Sequence, residues 1–345
     1  LNTSGTEVVV TGTVDSGSGT DGAGETRIDA DIATTFANNV GATTAIEKME
    51  VAAIKVDLDG ATNAIESVIV TGAGTVEFDA AADQTFTGAI TVAADDDGTL
   101  INANTDGELT FSTTIGAEDK RLTEITLNDS SITNFSAAVF AKTLDIDVGA
   151  GSNNVVIEAA GNTIGDDGAN AGALEIESGA TIELGTAIGS GDTVFNIEEV
   201  AAAVGGVVIS GDITIKPSSN FTSGTITLID GDADTIDADE QGRILVQDTA
   251  LTDFTVTAGA QDVTIAAVAK ADETTASELS VTTNNAKSLR QAIESANTGS
   301  SSDSAALTAL NDSLVVINGR SATDDTDLAK QVAPQDDMIS GSTFA

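Results

Sequence analysis

The residues best equipped for chemistry in this chain are carboxylates. The densest run is Asp230-Gly231-Asp232-Ala233-Asp234-Thr235-Ile236-Asp237-Ala238-Asp239-Glu240-Gln241-Gly242. Counted from Asp237, the residues Asp237, Asp239, Gln241 and Asp248 fall at positions 1, 3, 5 and 12 of an EF-hand loop, with Gly242 at 6 and Ile244 at 8. Such spacing gathers hard oxygen donors of the kind calcium takes. The candidate ligands are Asp230, Asp232, Asp234, Asp237, Asp239 and Asp248. Three departures weaken the match: Gln at the fifth position, Asp in place of Glu at the twelfth, and the strand-like Ile244-Leu245-Val246 where a helix should follow. The expectation is therefore weak, millimolar calcium binding, set against the simpler reading of a solvated turn. The acidic turns Asp95-Asp96-Asp97 and Asp166-Asp167 read as corner residues facing water. The glycine-aspartate nonapeptides of calcium-binding β-rolls are absent.

Other chemistries are closed off by residue type. The chain has no His and no Cys, which removes the Ser-His-Asp triad, thiol nucleophiles, disulfides and His- or thiolate-bound metals. It also lacks Trp and Tyr, the usual platforms for a sugar ring. Arg27, Arg121, Arg243, Arg290 and Arg320 are scattered. A pair such as Asp95-Asp96 has the groups for acid–base work, but among 55 acidic residues such pairs arise by chance. Gly205-Gly206 has no following Lys and no βαβ frame, so a phosphate loop is not expected. The reading is a protein that is not an enzyme.

Charge narrows the partners. With 13 basic residues against 55 acidic ones the formal charge is −42. Nucleic acid requires clustered cations and is not expected as a partner, and anionic lipid surfaces should repel the chain. No apolar run approaches the ~20 residues that span a bilayer, so no transmembrane segment is expected. Without an initiator Met or a basic segment leading into an apolar one, Leu1 reads as an internal or processed start.

The elements that carry these residues are short strands. From about residue 5 to 282, runs such as Ser67-Val68-Ile69-Val70, Thr143-Leu144-Asp145-Ile146-Asp147-Val148, Thr181-Ile182-Glu183-Leu184 and Asp212-Ile213-Thr214-Ile215 alternate apolar with polar, the period of a strand buried on one face. Turns rich in Gly, Asn and Asp separate them, among them Thr71-Gly72-Ala73-Gly74 and Gly149-Ala150-Gly151-Ser152-Asn153. A β-sandwich or barrel would use this pattern, and so would a parallel β-helix (β-solenoid). Many short strands, no long helical crossovers and small aliphatic residues favour the parallel β-helix, expected over about 60–280 with Val, Ile, Leu and Ala inside. After residue 283 the pattern turns helical. Asn284 or Asn285 caps a helix with Ala286, Leu289, Ala292, Ile293 and Ala296 on one face, and a second helix carries Ala306, Leu307, Leu310, Leu314 and Ile317. A weaker one runs from Asp324 to Val332, and Gln335 to Ala345 form a tail. The expected fold is mostly β, a parallel β-helix over 1–282 with a short α-helical C-terminal region over 283–345.

Three C-terminal phrases, Ala305-Ala306-Leu307-Thr308-Ala309-Leu310-Asn311, Leu314-Val315-Val316-Ile317-Asn318-Gly319 and Leu328-Ala329-Lys330-Gln331-Val332-Ala333-Pro334, resemble the junction preceding the barrel of autotransporters. They are closest to rickettsial outer-membrane-protein-B-like surface antigens and related alphaproteobacterial proteins. Ser223-Gly224-Thr225-Ile226-Thr227-Leu228-Ile229-Asp230 is similar to the last turns of those passengers. The resemblance spans about residues 205–335 and lacks the C-terminal barrel. It implies a passenger domain exported to the bacterial cell surface: a surface-layer, filament or displayed protein whose partners are copies of itself or a cell-surface ligand. An adhesin for a host or neighbour cell is the alternative, and a β-helix polysaccharide lyase or hydrolase a second one.

Overall fold

The computed structural model describes residues 7–16, 27–30, 32–52, 54–128, 131–147, 154–165, 173–198, 206–231, 236–249 and 252–269. The structure is mostly β, with a single helical turn, Ala238–Gln241, among the described residues. The strands are short because each alternating run ends at a turn the backbone cannot continue through. Asp95-Asp96-Asp97-Gly98 is one such turn, with Asp96 at φ 60° and Gly98 at φ 71°, both in the left-handed region that opens for Asp and Gly more readily than for branched residues. The helices and tail expected after residue 283, the division at 282/283, Asp166-Asp167 and the turn Gly149 to Asn153 lie outside the described residues.

The chain divides into two compact units. The first consists of Leu1–Ser218, Thr225–Val246 and Val256–Ile265. From Val8–Val10 to Ile244–Val246 its strands pair in parallel, each beside a strand one circuit later in the sequence, while Thr252–Ala258 and Asp262–Ala269 are adjacent strands joined by a tight turn. Three sheets result: a large fourteen-stranded one, one of eight strands and one of four. The arrangement is compatible with a β-solenoid.

In the large sheet, Val56 lies beside Val76, then Leu100, Ile125, Leu144, Leu174 and Val207. All seven are buried. In the eight-stranded sheet the inward row runs Phe86, Phe111, Phe135, Ile157, Leu184. In the four-stranded sheet Met49, Val68 and Ile90 line up, and single bridges continue the row through Ile115 and Val139.

The interior is less purely aliphatic than composition implies. Phe78, Phe86, Phe111 and Phe135 are fully buried and form one cluster. Phe78 meets Phe86 edge-on at 5.5 Å and Phe111 at 5.3 Å, and Phe111 stacks on Phe135 at 5.5 Å. Phe78 belongs to the large sheet and the others to the eight-stranded one, so the rings knit two sheets together. These four rings supply the largest side chains of this part of the interior. One buried polar cluster is satisfied by its own members. Buried Asn102 donates from Nδ2 to Ser131 Oγ at 3.1 Å and Thr133 Oγ1 at 2.7 Å, and its Oδ1 accepts from the Asn104 amide at 3.1 Å.

The second unit comprises Ser219–Gly224, Gln247–Thr255 and Ala266–Ala345. Within it the Phe221 and Phe254 rings stack at 5.9 Å. Asp248 Oδ1 accepts a hydrogen bond from the Phe254 amide at 2.7 Å.

Candidate functional site

Because side chains two apart on a strand share a face, parallel in-register pairing converts a run such as Lys55-Val56-Asp57-Leu58-Asp59 into columns of like residues. On the outer face of the large sheet one column reads Thr35, Asp57, Glu77, Ile101, Thr126, Asp145, Glu175, Val208. Asp59, Asp79, Glu124, Asp147 and Glu177 flank it. Neighbouring strands are about 4.8 Å apart, so carboxylates face carboxylates.

Asp57, Glu77 and Asp79 bring carboxylate oxygens within 4.8 Å of one another, the group of this kind among the described residues. Burial, then the hydrogen bond and the charge of Asp59, push the Asp57 carboxyl up to about 7, against the opposing pull of Lys55. Asp59 is also raised, by burial and by Asp79. With both groups ionised, Asp57 Oδ1 and Asp59 Oδ1 are buried without partners; a proton on Asp57, donated to Asp59, removes that penalty. Further along, burial and the charges of Glu175, Asp147, Glu124 and Glu177 raise Asp145 to about 6.

Lys55 is the counter-ion of the first cluster. Its ammonium donates to Glu77 and lies 3.9 Å from Asp57 Oδ2. Burial lowers the Lys55 pKa, but the hydrogen bond to Glu77 and the charges of Glu77, Asp57 and Asp79 outweigh it and raise the value. The arrangement can exchange protons near neutral pH. A metal ion would have to displace the ammonium already seated there.

Arg121 organises a second polar centre and is only 5% exposed. Its Nη2 pairs with Glu198 Oε2 at 2.6 Å, Nη1 donates to the Gly165 carbonyl at 2.7 Å, and Nε to the Glu118 carbonyl at 3.1 Å. Gly165 has φ +113°, and a Cβ there would lie 2.0 Å from the Glu198 carbonyl oxygen, so only glycine fits. The acidic turn 95–97 belongs to this centre. Asp95 Oδ1 accepts from the Arg121 amide at 2.7 Å, Asp96 Oδ2 pairs with Lys142 at 2.8 Å, and Asp97 Oδ2 accepts from the Ala94 amide at 3.2 Å. All three sit at a corner, exposed or half-buried, and each is also tied into the chain.

The outer face of the eight-stranded sheet has another character. One column reads Glu108, Ile132, Asn154, Thr181, Thr214, Leu245, and the next Thr85, Thr110, Asn134, Val156, Glu183, Lys216. Lys216 pairs with Glu183 at 2.8 Å, and Asn134 Nδ2 donates to Glu108 Oε1 at 3.1 Å.

Four of the six residues proposed for calcium fall among the described residues. Asp230 is the exposed last residue of strand Gly224–Asp230, Asp232 and Asp234 lie outside the described residues, and Asp248 belongs to the second unit. Asp237 precedes the helical turn, its amide donating to Glu240 Oε2 at 3.1 Å, while Glu240 Oε1 accepts from the Ile209 amide at 3.1 Å. Asp239 is exposed within that turn. Gly242 adopts φ −75°, ψ −9°, helical values that do not make the sharp turn of an EF-hand loop. The EF-hand-like spacing is thus carried on a backbone of another shape. No protein family, curated protein or solved structure matches the chain. Among the described residues no helix is long and apolar enough to cross a membrane.

Proposed function

We propose that this chain is a parallel β-solenoid, followed by a short helical region, carried on the outside of a bacterial cell as a structural or adhesive element that self-associates and is not an enzyme. The observation behind this reading is the layout of the polar groups. In-register ladders spread them in long columns over outer faces, a design suited to broad contact with a surface or with other copies. The charge of −42 and the absence of His and Cys agree with it, as does the resemblance of residues 205–335 to autotransporter passengers. Copies so strongly charged need help to pack together. Screening by salt supplies some, and calcium bridging carboxylates of neighbouring copies would supply more.

Light scattering on the purified chain tests this reading, in millimolar calcium, in sodium chloride of matched ionic strength and in chelator, with electron microscopy of the same samples. The expected result is concentration-dependent growth, strongest in calcium and reversed by chelator. Equal growth in both salts would leave screening alone. A monodisperse monomer under all three conditions would overturn self-association.

A further inference from the structure

Resting on the self-association just proposed, we infer that the outer face of the eight-stranded sheet docks a second copy of this chain, face to face about a two-fold axis along strand Asn154–Ile157. The first argument is electrostatic. On a chain of charge −42 a second copy is repelled by most of the surface. The large sheet offers Asp57, Glu77, Glu124, Asp145 and Glu175 in adjoining strands, and like charges brought together across an interface oppose docking. The eight-stranded sheet offers Thr, Asn, Val and Ile, with Glu108, Glu183 and Lys216 as the charged residues of its two outer columns.

The second argument is the placement of those charges. In sheet order, strand Asn154–Ile157 lies two strands from Glu108–Phe111 on one side and two strands from Ile213–Lys216 on the other. A two-fold axis along it lays the Glu108 strand of each copy over the Lys216 strand of the other, with Glu108 over Thr214 and Lys216, two residues along, over Thr110, so opposite charges come near each other twice, offset along the strands. The same operation sets Ile132 over Thr181 and Val156 over its own counterpart. Leu245, 49% exposed at the end of this face, adds apolar area.

The third argument is size. About this axis seven of the eight strands overlap, and seven strands about 4.8 Å apart and about four residues long give a face of roughly 29 by 13 Å. Two such faces bury about 750 Å², below the ~1,000 Å² of a stable specific contact and in the range of weak, transient ones. The dimer should therefore be weak and reversible, forming where copies are crowded.

The absence of Cys makes the test clean, since one introduced thiol can form a disulfide only between copies. Val156→Cys and, on the acidic face, Thr126→Cys are oxidised mildly at the concentration where scattering shows association. The Val156→Cys chain should give roughly tenfold more covalent dimer. Adding Lys216→Glu should remove that excess, and adding Glu108→Lys to Lys216→Glu should restore it, with melting curves confirming that each variant folds. Equal or greater cross-linking through Thr126→Cys, with association intact, overturns this face while sparing self-association. Loss of association in the unmodified chain defeats both. A Val156→Cys thiol shielded from a small thiol reagent in dilute monomer would show the face covered by the chain's own residues, and would overturn the proposal too.

Discussion

Two outer faces of the same unit, built by the same parallel ladders, carry opposite electrostatic designs. The large sheet stacks acid upon acid, with Lys55 set among Asp57, Glu77 and Asp79. The eight-stranded sheet stacks Thr, Asn and small apolar residues, and pairs Lys216 with Glu183. Backbone geometry does not distinguish them. The difference lies in which residues sit one place either side of each inward Val, Ile or Phe, and it sets how each face responds to protons, salt and neighbours.

The comparison is broken most drastically by removing what joins the faces. Phe111→Ala deletes the ring that touches both Phe78 and Phe135; it should cost about 3–5 kcal/mol, read as a loss of midpoint in denaturant unfolding. Arg121→Met should cost about 2–3 kcal/mol, since it leaves the Glu198 carboxylate and the Gly165 carbonyl without their donor. Its melting temperature should fall at all pH values.

The acidic face can be sharpened by pH. The folded-state pKa values of Asp57, about 7, and Asp145, about 6, lie above the ordinary carboxyl value of 3.8, so the folded chain binds these protons more tightly than the unfolded one. Stability is then greatest below pH ~4, falls as pH rises through 6 and 7, and levels off above. Thermal melts should show a higher transition at pH 5 than at pH 8. Asp57→Asn should raise the melting temperature at pH 8 by ~2–4 °C and flatten the pH dependence; an unchanged profile would remove Asp57 as its source.

The smallest effect contrasts the faces directly. Thr126→Lys places a cation beside Asp145 and should stabilise by about 0.2–1 kcal/mol at low salt. Thr181→Lys, between Asn154 and Thr214, should change stability by less than ~0.5 kcal/mol. Equal responses would mean that the two faces do not differ in field.

The local pattern was largely legible in the sequence. Alternation in Thr181-Ile182-Glu183-Leu184 and Ser67-Val68-Ile69-Val70 marks strands, and both runs are strands with Ile182, Leu184, Val68 and Val70 inside and Ile69 on the outward side. Partnership was not legible. The step along the ladder from Val56 to Val76 is shorter than that from Leu174 to Val207, because circuits of unequal length insert different turns. Without that register, Asp57 and Glu77 are two unrelated acids; the alternation in Lys55-Val56-Asp57-Leu58-Asp59 was the available signal that they share a face. Arg121 was equally hidden. One Arg among scattered ones carries no local mark, and its partners Gly165 and Glu198 come from later circuits. The density of acids between Asp230 and Asp239 drew attention to a segment whose backbone then takes a helical turn.

The contacts of Arg121 also bear on the order in which the chain can assemble. Ladder neighbours come from adjacent circuits, so each new circuit can add to a template already laid down, and growth is local and stepwise. The bond from Arg121 to the Gly165 carbonyl spans 44 residues, and the ion pair with Glu198 reaches further still. A chain threading out from its N-terminus must hold the guanidinium open to water until Glu198 emerges, and only then can it be sealed in. That closure works as a latch: circuits before it can fray and re-form, and once it shuts, the middle of the unit is committed.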